Sequence, residues 1–344
     1  MNVFSLRSEE LKDFFIKNNE KGYRAEQLFS WIYQKKVISF SEMSNFSLSF
    51  REFLESKLDI LTIKLVKKQI SKDEETVKFL FSLSDGQYIE SVLIKSKNRN
   101  TVCVSTQVGC KMFCSFCASG KRGFFRDLHA DEIVQQVYFI NMVLSEVDER
   151  VSNVVFMGMG EPLANYSNVT QSIKILNDPL TLNISQRKIS ISTVGITDKI
   201  YQLIKDDVKV NLVFSLHASN QTLREKIIPA AKKYHMNDIL KALDEYFFRT
   251  KREVTFEYIL IEGLNDTNKC LEELVNLLDK GYYKLNLIPY NPVEGFYFRK
   301  PKSIVIEKFM KKLTDRNIKV TRRYAKGNDI DAACGQLALK EVIN

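Results

Sequence analysis

Hydrophobic positions along the chain change period near residue 61. Before it they recur at three- and four-residue steps: Ser8-Glu9-Glu10-Leu11 reads as a helix start, and residues 23–36 carry Leu28, Trp31 and Ile32 at helical spacing. A small helical module, residues 1–60, is therefore expected. From Leu61 the period falls to two. Val77, Phe79, Phe81 and Leu83 alternate with polar neighbours, Asp85-Gly86 supplies a favoured turn pair, and residues 88–94 follow as a second strand. This predicts a β-hairpin within a linking segment, residues 61–95.

After Thr101, short β-rich runs alternate with amphipathic helical stretches. Strands are expected near 102–107, 154–157, 188–193, 210–216, 254–261 and 284–289, with helices such as 130–145 and 267–280 between them. Six strand–helix units imply a parallel sheet. Each unit sets its polar or glycine-rich motif just after the strand, the edge at which barrel-like α/β enzymes build their sites. The expected fold class is α/β: a partial or complete βα barrel over residues 96–325, with the helical module and the hairpin extension before it. A last strand near 318–323 leads into a tail, residues 326–344.

A chain of 344 residues, 44% hydrophobic, can bury a full core. Lys and Arg total 51 against 42 Asp and Glu, a net charge of +9. That excess favours a polyanionic partner such as RNA without deciding the matter. No segment approaches the roughly 20 apolar residues of a membrane span, and residues 1–17 mix charged with apolar side chains, unlike a signal peptide. A cytoplasmic protein with no membrane partner is expected. Six cysteines, at 103, 110, 114, 117, 270 and 334, are too few for a secreted disulfide scaffold.

Cys110, Cys114 and Cys117 form a C-x₃-C-x₂-C triplet on a loop after a strand. Three thiolates can hold three irons of a cubane cluster while the fourth iron stays open to a small ligand. A structural zinc ion would want a fourth ligand, and the nearest histidine is His129. Phe113 and Phe116 inside the loop suit shielding of such a cluster. Gly158-Met159-Gly160-Glu161-Pro162 follows the next strand; its glycines allow close backbone approach, and Glu161 can accept from an amino group. Ser192, Ser215, His217 and Asn291 also stand at strand ends, as ligand contacts or as plain turn residues. Cys334 sits among small neighbours that leave its sulfur accessible. Cys103 faces inward if Val102 and Val104 face the helices. Both are equally explained as inert core thiols, and Cys270 is read as structural.

Together with Ser215-Leu216-His217-Ala218, residues 287–292 (LIPYNP) and residues 329–337 (DIDAACGQL), these motifs resemble the RlmN/Cfr family of radical S-adenosylmethionine RNA methyltransferases, over essentially the whole chain to Leu337. Within it they look like the RlmN branch, which methylates carbon 2 of adenosine in 23S rRNA and tRNA. The resemblance implies one [4Fe-4S] cluster on Cys110, Cys114 and Cys117. It implies cofactor contacts from Gly160, Glu161, Ser192, Ser215, Leu216, His217 and Asn291, with two S-adenosylmethionine molecules used per turnover. One methylates Cys334; the other yields a 5′-deoxyadenosyl radical that takes a hydrogen from the methylated Cys334, whose carbon then adds to adenine. Cys103 resolves the resulting crosslink, leaving a transient Cys103–Cys334 disulfide. Glu90 matches the base proposed for the product-forming deprotonation, a task Cys103 could also serve.

The resemblance further implies an electron donor such as a flavodoxin or ferredoxin system, and RNA docking by the helical module. A monomer is expected. Lys95, Lys97 and Arg99, then Lys121, Arg122 and Arg126, then Arg322, Arg323 and Lys326 make a candidate phosphate rim or simply solvated faces. Ser119 stands where Thr is common, and the end after Leu337 is short; neither departure falls on a residue assigned chemistry. Two alternatives remain. A Cfr-type carbon-8 methyltransferase is disfavoured by Pro162 and by Gly327-Asn328-Asp329-Ile330, and a non-catalytic iron–sulfur RNA-binding protein by the joint presence of Cys103, Cys334 and Glu90.

Overall fold

The computed structural model describes residues 1–279 and 282–339. Three helices, α1 (Ser8–Lys17), α2 (Arg24–Phe29) and α3 (Leu48–Lys57), come first. α2 runs on into a wider, π-type turn at Ser30–Gln34 instead of continuing as one helix. Leu11, Phe15, Phe50 and Leu54 bury their side chains where α1 and α3 meet, and Phe50 and Phe53 stack. The module is joined to the sheet-bearing part of the chain: Phe4 packs on Tyr138, Tyr138 donates to the Ile32 carbonyl (2.9 Å), and Ser8 donates to Asp178 (2.7 Å).

Strands β1 (Lys64–Ile70), β2 (Thr76–Ser82) and β3 (Tyr88–Ser96) form an antiparallel meander, and β3 pairs antiparallel with β4 (Arg99–Cys103). The expected hairpin is thus no appendage; it continues the main sheet. At its turn Gly86 adopts φ +80°, the conformation that makes Asp-Gly a favoured pair there. β1 carries Lys64, Lys67 and Lys68 along the outer edge, where charged side chains discourage pairing with another chain.

β5 (Gln107–Gly109) and β6 (Phe124–Asp127) form a separate ribbon, and the loop between them holds the short helix α4 (Ala118–Lys121). β7 (Asn153–Phe156), β8 (Ile189–Thr193), β9 (Asn211–Ser215), β10 (Val254–Leu260), β11 (Tyr283–Pro289) and β12 (Val320–Arg322) then follow β4 in parallel, neighbour by neighbour. The crossovers are α5 (Ala130–Ser145), α6 (Tyr166–Asn177), α7 (Thr197–Lys205), the pair α8 (Gln221–Ile227) and α9 (Met236–Thr250), α10 (Asn268–Leu278) and α11 (Ser303–Thr314). α5 shows why the amphipathic pattern worked: Ile133, Val137, Ile140 and Leu144, three or four residues apart, are all buried. Position 280, the expected last residue of the α10 stretch, and 340–344 of the expected tail lie outside the described residues.

The strand expected at 102–107 ends at Cys103. Beyond it the chain leaves the ladder to wrap the following turn: Gly158 donates to the Val104 carbonyl (3.0 Å), and Thr106 and Gln107 both donate to that of Met159. Among the described residues no ladder joins β12 back to β1, so the barrel is partial. The gap is spanned by side chains. Lys326 reaches the Lys95 carbonyl (3.1 Å) and Glu75 (2.7 Å), and the Lys72 amide donates to Asp329 (2.8 Å).

Candidate active site

The parallel strands end at one edge, and nearly every expected site residue stands there. A cavity of about 610 Å³ occupies the barrel interior, and its wall includes Cys103, Cys117, Asn291, Arg323 and Cys334. Cys103 is the last residue of β4 and faces the cavity, while Val102 and Val104 turn to the core with none of their surface exposed. Both Cys103 and Cys334 are free thiols. Burial pushes Cys103 up to about 12, the nearby Cys334 adds to this, and Arg323 opposes it. Burial also raises Cys334, again against Arg323. Arg323 bonds Glu257 on β10 (2.6 Å), and the anionic surroundings, Cys334 first, raise its own affinity for its proton.

The tail bearing Cys334 is tied to the cysteine loop. Ala118 donates its amide to the Gly335 carbonyl (2.8 Å), and Ser119 its hydroxyl to that of Leu337 (3.0 Å). Asn291 donates to the carbonyl of Cys334 itself (3.1 Å), and Gln336 to that of Pro292 (3.0 Å). Ser119 thus matters more than its type suggested.

The loop from Cys110 to Cys117 is compact. Cys110 donates its amide to Gly123, Cys117 to Cys114 and Gly120 to Cys117. All three thiols are half-buried; burial lifts Cys110 to about 12, Cys114 well above its ordinary value, and Cys117 upward. Phe116 is buried with its ring edge-on to His217 (4.9 Å), whereas Phe113 is exposed.

The next turn shows why glycines are needed. A Cβ on Gly158 would lie 2.6 Å from the Val104 carbonyl oxygen, and one on Gly160, at φ +100°, would lie 2.6 Å from Gln107. Glu161 is buried and accepts from the amides of Leu163 (3.1 Å) and Val194 (2.9 Å), yet desolvation outweighs those bonds and lifts it to about 7. Ser192 and Ser215, on neighbouring strands, share a hydrogen bond of 3.0 Å. Leu216 is fully buried between them and His217. His217 accepts at Nδ1 from the Ile259 amide (3.1 Å), which leaves the ring proton on Nε2, and burial first and Arg224 second lower it to about 3.

Glu90 stands apart from the cavity wall. It is 1% exposed, paired with the equally buried Lys78 (3.1 Å), and accepts from the Leu339 amide (3.1 Å). The basic clusters also divide. Lys95, Lys97 and Arg99 lie at the β3–β4 turn, the opposite edge from Cys103. Arg126 is held by Asp85 and Glu132, and Arg323 by Glu257, so neither is a free rim charge.

Two family models match this chain: the N-terminal domain of ribosomal RNA large subunit methyltransferases over residues 1–60, and the radical SAM superfamily over residues 104–278. A probable dual-specificity RNA methyltransferase RlmN 2 of Protochlamydia amoebophila is 50% identical over 333 residues, 97% of this chain and 93% of that protein. The chain belongs to the RlmN family. A probable dual-specificity RNA methyltransferase RlmN of Bacillus velezensis is 45% identical over 98% of this chain and 93% of its own length. The crystal structure of a radical SAM methyltransferase from Sphaerobacter thermophilus superposes with a TM-score of 0.95 at 38% identity, covering 98% of this chain and 99% of that one. This chain is accordingly a radical SAM enzyme of the RlmN methyltransferase family, with that α/β fold.

The family implies a [4Fe-4S] cluster and S-adenosylmethionine, and the donors fit the cluster. Three thiols that repel one another's ionisation sit on one loop. Three thiolate sulfurs on one loop are the donor set that would bind three irons of such a cluster. Arg323, Glu257 and Arg224 are the polar groups of the site that sequence reasoning missed or misplaced. For Arg323, a basic side chain at the end of a strand was the available signal; Glu257 and Arg224 offered none.

Proposed function

We propose that this enzyme methylates carbon 2 of adenosine in RNA, in both 23S rRNA and tRNA, with Cys334 as the methyl carrier and Cys103 as the resolving thiol. The observation that carries this reading is the single cavity whose wall takes in Cys103, Cys117 and Cys334 together. Bound at Cys110, Cys114 and Cys117, the cluster would deliver the electron that opens radical chemistry from S-adenosylmethionine, two molecules of which serve each turnover. The reading assigns the cofactor's amine to Glu161, in exchange for one of its bonds to Leu163 and Val194, and the cofactor's other groups to Gly160, Ser192, Ser215, Leu216 and His217. Asn291, bonded to the Cys334 carbonyl, links cofactor contact to carrier position.

Cys334 must act first as a thiolate, and Arg323 offsets part of the burial that opposes this. The methyl group loses one hydrogen atom, which the cofactor's radical chemistry would take up, and its carbon bonds to carbon 2 of adenine; the carbon-2 proton and one electron, which the oxidised cluster would accept, then leave, and RNA is joined to Cys334 through a methylene bridge. Cys103 attacks the Cys334 sulfur; the carbon–sulfur bond breaks, the methylated base leaves with the electron pair and a proton, and a Cys103–Cys334 disulfide forms. Cellular thiols reduce it. Cys103, which lines the cavity, is one group this reading offers for the carbon-2 proton. Glu90 joins this reading as the buried carboxylate that holds the tail through Leu339, and as a proton acceptor once that bond parts.

The reading assigns RNA docking to residues 1–60, linkage to 61–95, the radical SAM core to 96–325 and the carrier thiol to 326–344. It also assigns a cytoplasmic monomer served by a flavodoxin or ferredoxin system. No helix among the described residues is long and apolar enough to cross a membrane. The test is to treat 23S rRNA and tRNA in parallel with wild type and Cys334→Ala, then separate nucleosides by chromatography and mass. 2-Methyladenosine from wild type in both RNAs supports the proposal. 8-Methyladenosine, or equal product from the variant, sinks it.

A further inference from the structure

Helix α8 carries Arg224, whose side chain is completely buried. Its guanidinium binds only backbone carbonyls: Nε donates to Leu216 (3.1 Å), and Nη2 to Val194 (2.6 Å) and Ser215 (3.1 Å). The face of Phe214 lies 4.9 Å away. Nη1 is buried without a partner. Among the described residues no carboxylate pairs with this cation; Glu161, within electrostatic reach, spends its oxygens on Leu163 and Val194.

A dry cation held by dipoles alone is costly, since carbonyls repay only part of the lost hydration. An apolar side chain of similar volume would serve packing better, so the charge calls for an anion nearby. The charges that most favour the Arg224 cation are Cys114 first and Glu161 second, and Arg224 in turn favours ionisation of both. The cysteine loop also rests on the same helix. Ser115, next to Cys114, donates both its amide (2.9 Å) and its hydroxyl (3.3 Å) to the carbonyl of Ile227, one turn beyond Arg224. The unpaired guanidinium and the sulfur loop are therefore parts of one packed unit.

We propose that Arg224 is a positioning residue of the cluster site: a fixed, water-free cation on the helix against which the cysteine loop packs, favouring the reduced, more negative form of the cluster. The inference rests on Cys110, Cys114 and Cys117 holding that cluster. Net charge and hydrogen bonding around the sulfurs are recognised determinants of such potentials. On accepting one electron from a reductant the cluster gains one negative charge, and a buried positive charge favours that change where water cannot screen it.

The experiment uses the full chain, reconstituted anaerobically with iron and sulfide and titrated with dithionite without S-adenosylmethionine, the reduced cluster being followed by electron paramagnetic resonance. Wild type, Arg224→Gln and Arg224→Lys are compared, with iron content and thermal melting measured alongside. Arg224→Gln should make reduction about tenfold less favourable, about 59 mV more negative for one electron. Arg224→Lys, which keeps the charge but loses the fork, should keep the wild-type potential. An unshifted Arg224→Gln with full iron overturns the proposal, as does an Arg224→Lys shifted equally far. If Arg224→Gln takes up no iron, Arg224→Lys decides: wild-type iron and potential support the charge, and a folded protein without iron overturns it. Wild type lacking iron would instead remove the cluster reading itself.

Discussion

The loop holding Cys110, Cys114 and Cys117 is fixed largely by its own backbone, through bonds from Cys110 to Gly123, Cys117 to Cys114 and Gly120 to Cys117. The tail holding Cys334 borrows its partners from far along the chain: Asn291, Pro292, Ala118, Ser119 and Glu90. The difference suits the two tasks proposed for them. Sulfurs that share a cluster must keep a constant mutual arrangement, which local bonds secure. A sulfur that passes carbon from cofactor to base must approach several partners in turn, and side-chain ties from separate elements can be exchanged singly. Electrostatics differ likewise, with Arg224 acting on the loop and the Arg323–Glu257 pair on Cys103 and Cys334.

The sharpest way to break this comparison is to delete one sulfur from each side. Cys114→Ser should lose the cluster and with it all methylated product, whereas Cys334→Ala should lose all product yet hold wild-type iron. Iron assay and nucleoside mass spectrometry read both, and equal iron loss in the two variants would erase the distinction. Next, Cys103→Ala should retain carrier methylation but accumulate RNA covalently bound to protein, visible on a denaturing gel. Free product at the wild-type rate would take Cys103 out of the reaction.

Arg323→Met removes the charge that opposes burial at Cys334, so less thiolate is present at neutral pH. Each unit by which the thiol rises costs about tenfold in thiolate. Methyl uptake by Cys334, followed by intact-protein mass, should slow by about tenfold or more at pH 7, with the deficit narrowing as pH increases. Parallel pH profiles would show Arg323 to be structural only.

Glu161 gives a smaller, pH-defined effect in chelator-treated protein. Its folded value of about 7 lies above the ordinary 4.5, so its share of stability is present below 4.5 and is lost as pH rises through 7. Glu161→Gln should therefore gain in relative stability between pH 4.5 and 8, by roughly 3 kcal/mol; a flat difference in melting temperature would contradict the assignment. Smallest of all, Ser119→Ala removes one loop-to-tail hydrogen bond and should cost about 1 kcal/mol. Its melting temperature should fall slightly while iron content stays constant.

Features written in short-range spacing were legible in the sequence. The cysteine triplet, the glycine turn at 158–160 and the alternation of β2 and β3 each depend on neighbours within a few residues. β1 was not separately legible: Lys64-Leu65-Val66-Lys67-Lys68 belongs to an exposed edge and has no buried face to impose alternation. Arg323 was read as part of a rim because a basic run looks solvated. Its true partner is Glu257, which register places opposite Asn286 on β11 and thence Thr321 on β12, a relation spread over three strands. Arg224 left no pattern at all, since its bonds run to carbonyls, which every residue possesses.

The incomplete barrel has a mechanical consequence. Its outer seam is closed by the Lys326–Glu75 ion pair and by side-chain bonds to the backbone of Lys95 and Lys72 in place of a strand ladder, and an exposed ion pair of that kind holds weakly and yields to salt. Raised salt should therefore loosen this outer fastening first, while the buried contacts of Ala332, Leu337 and Leu339 with Leu80 and Val92 and the strand-to-strand bonds of the sheet stay in place.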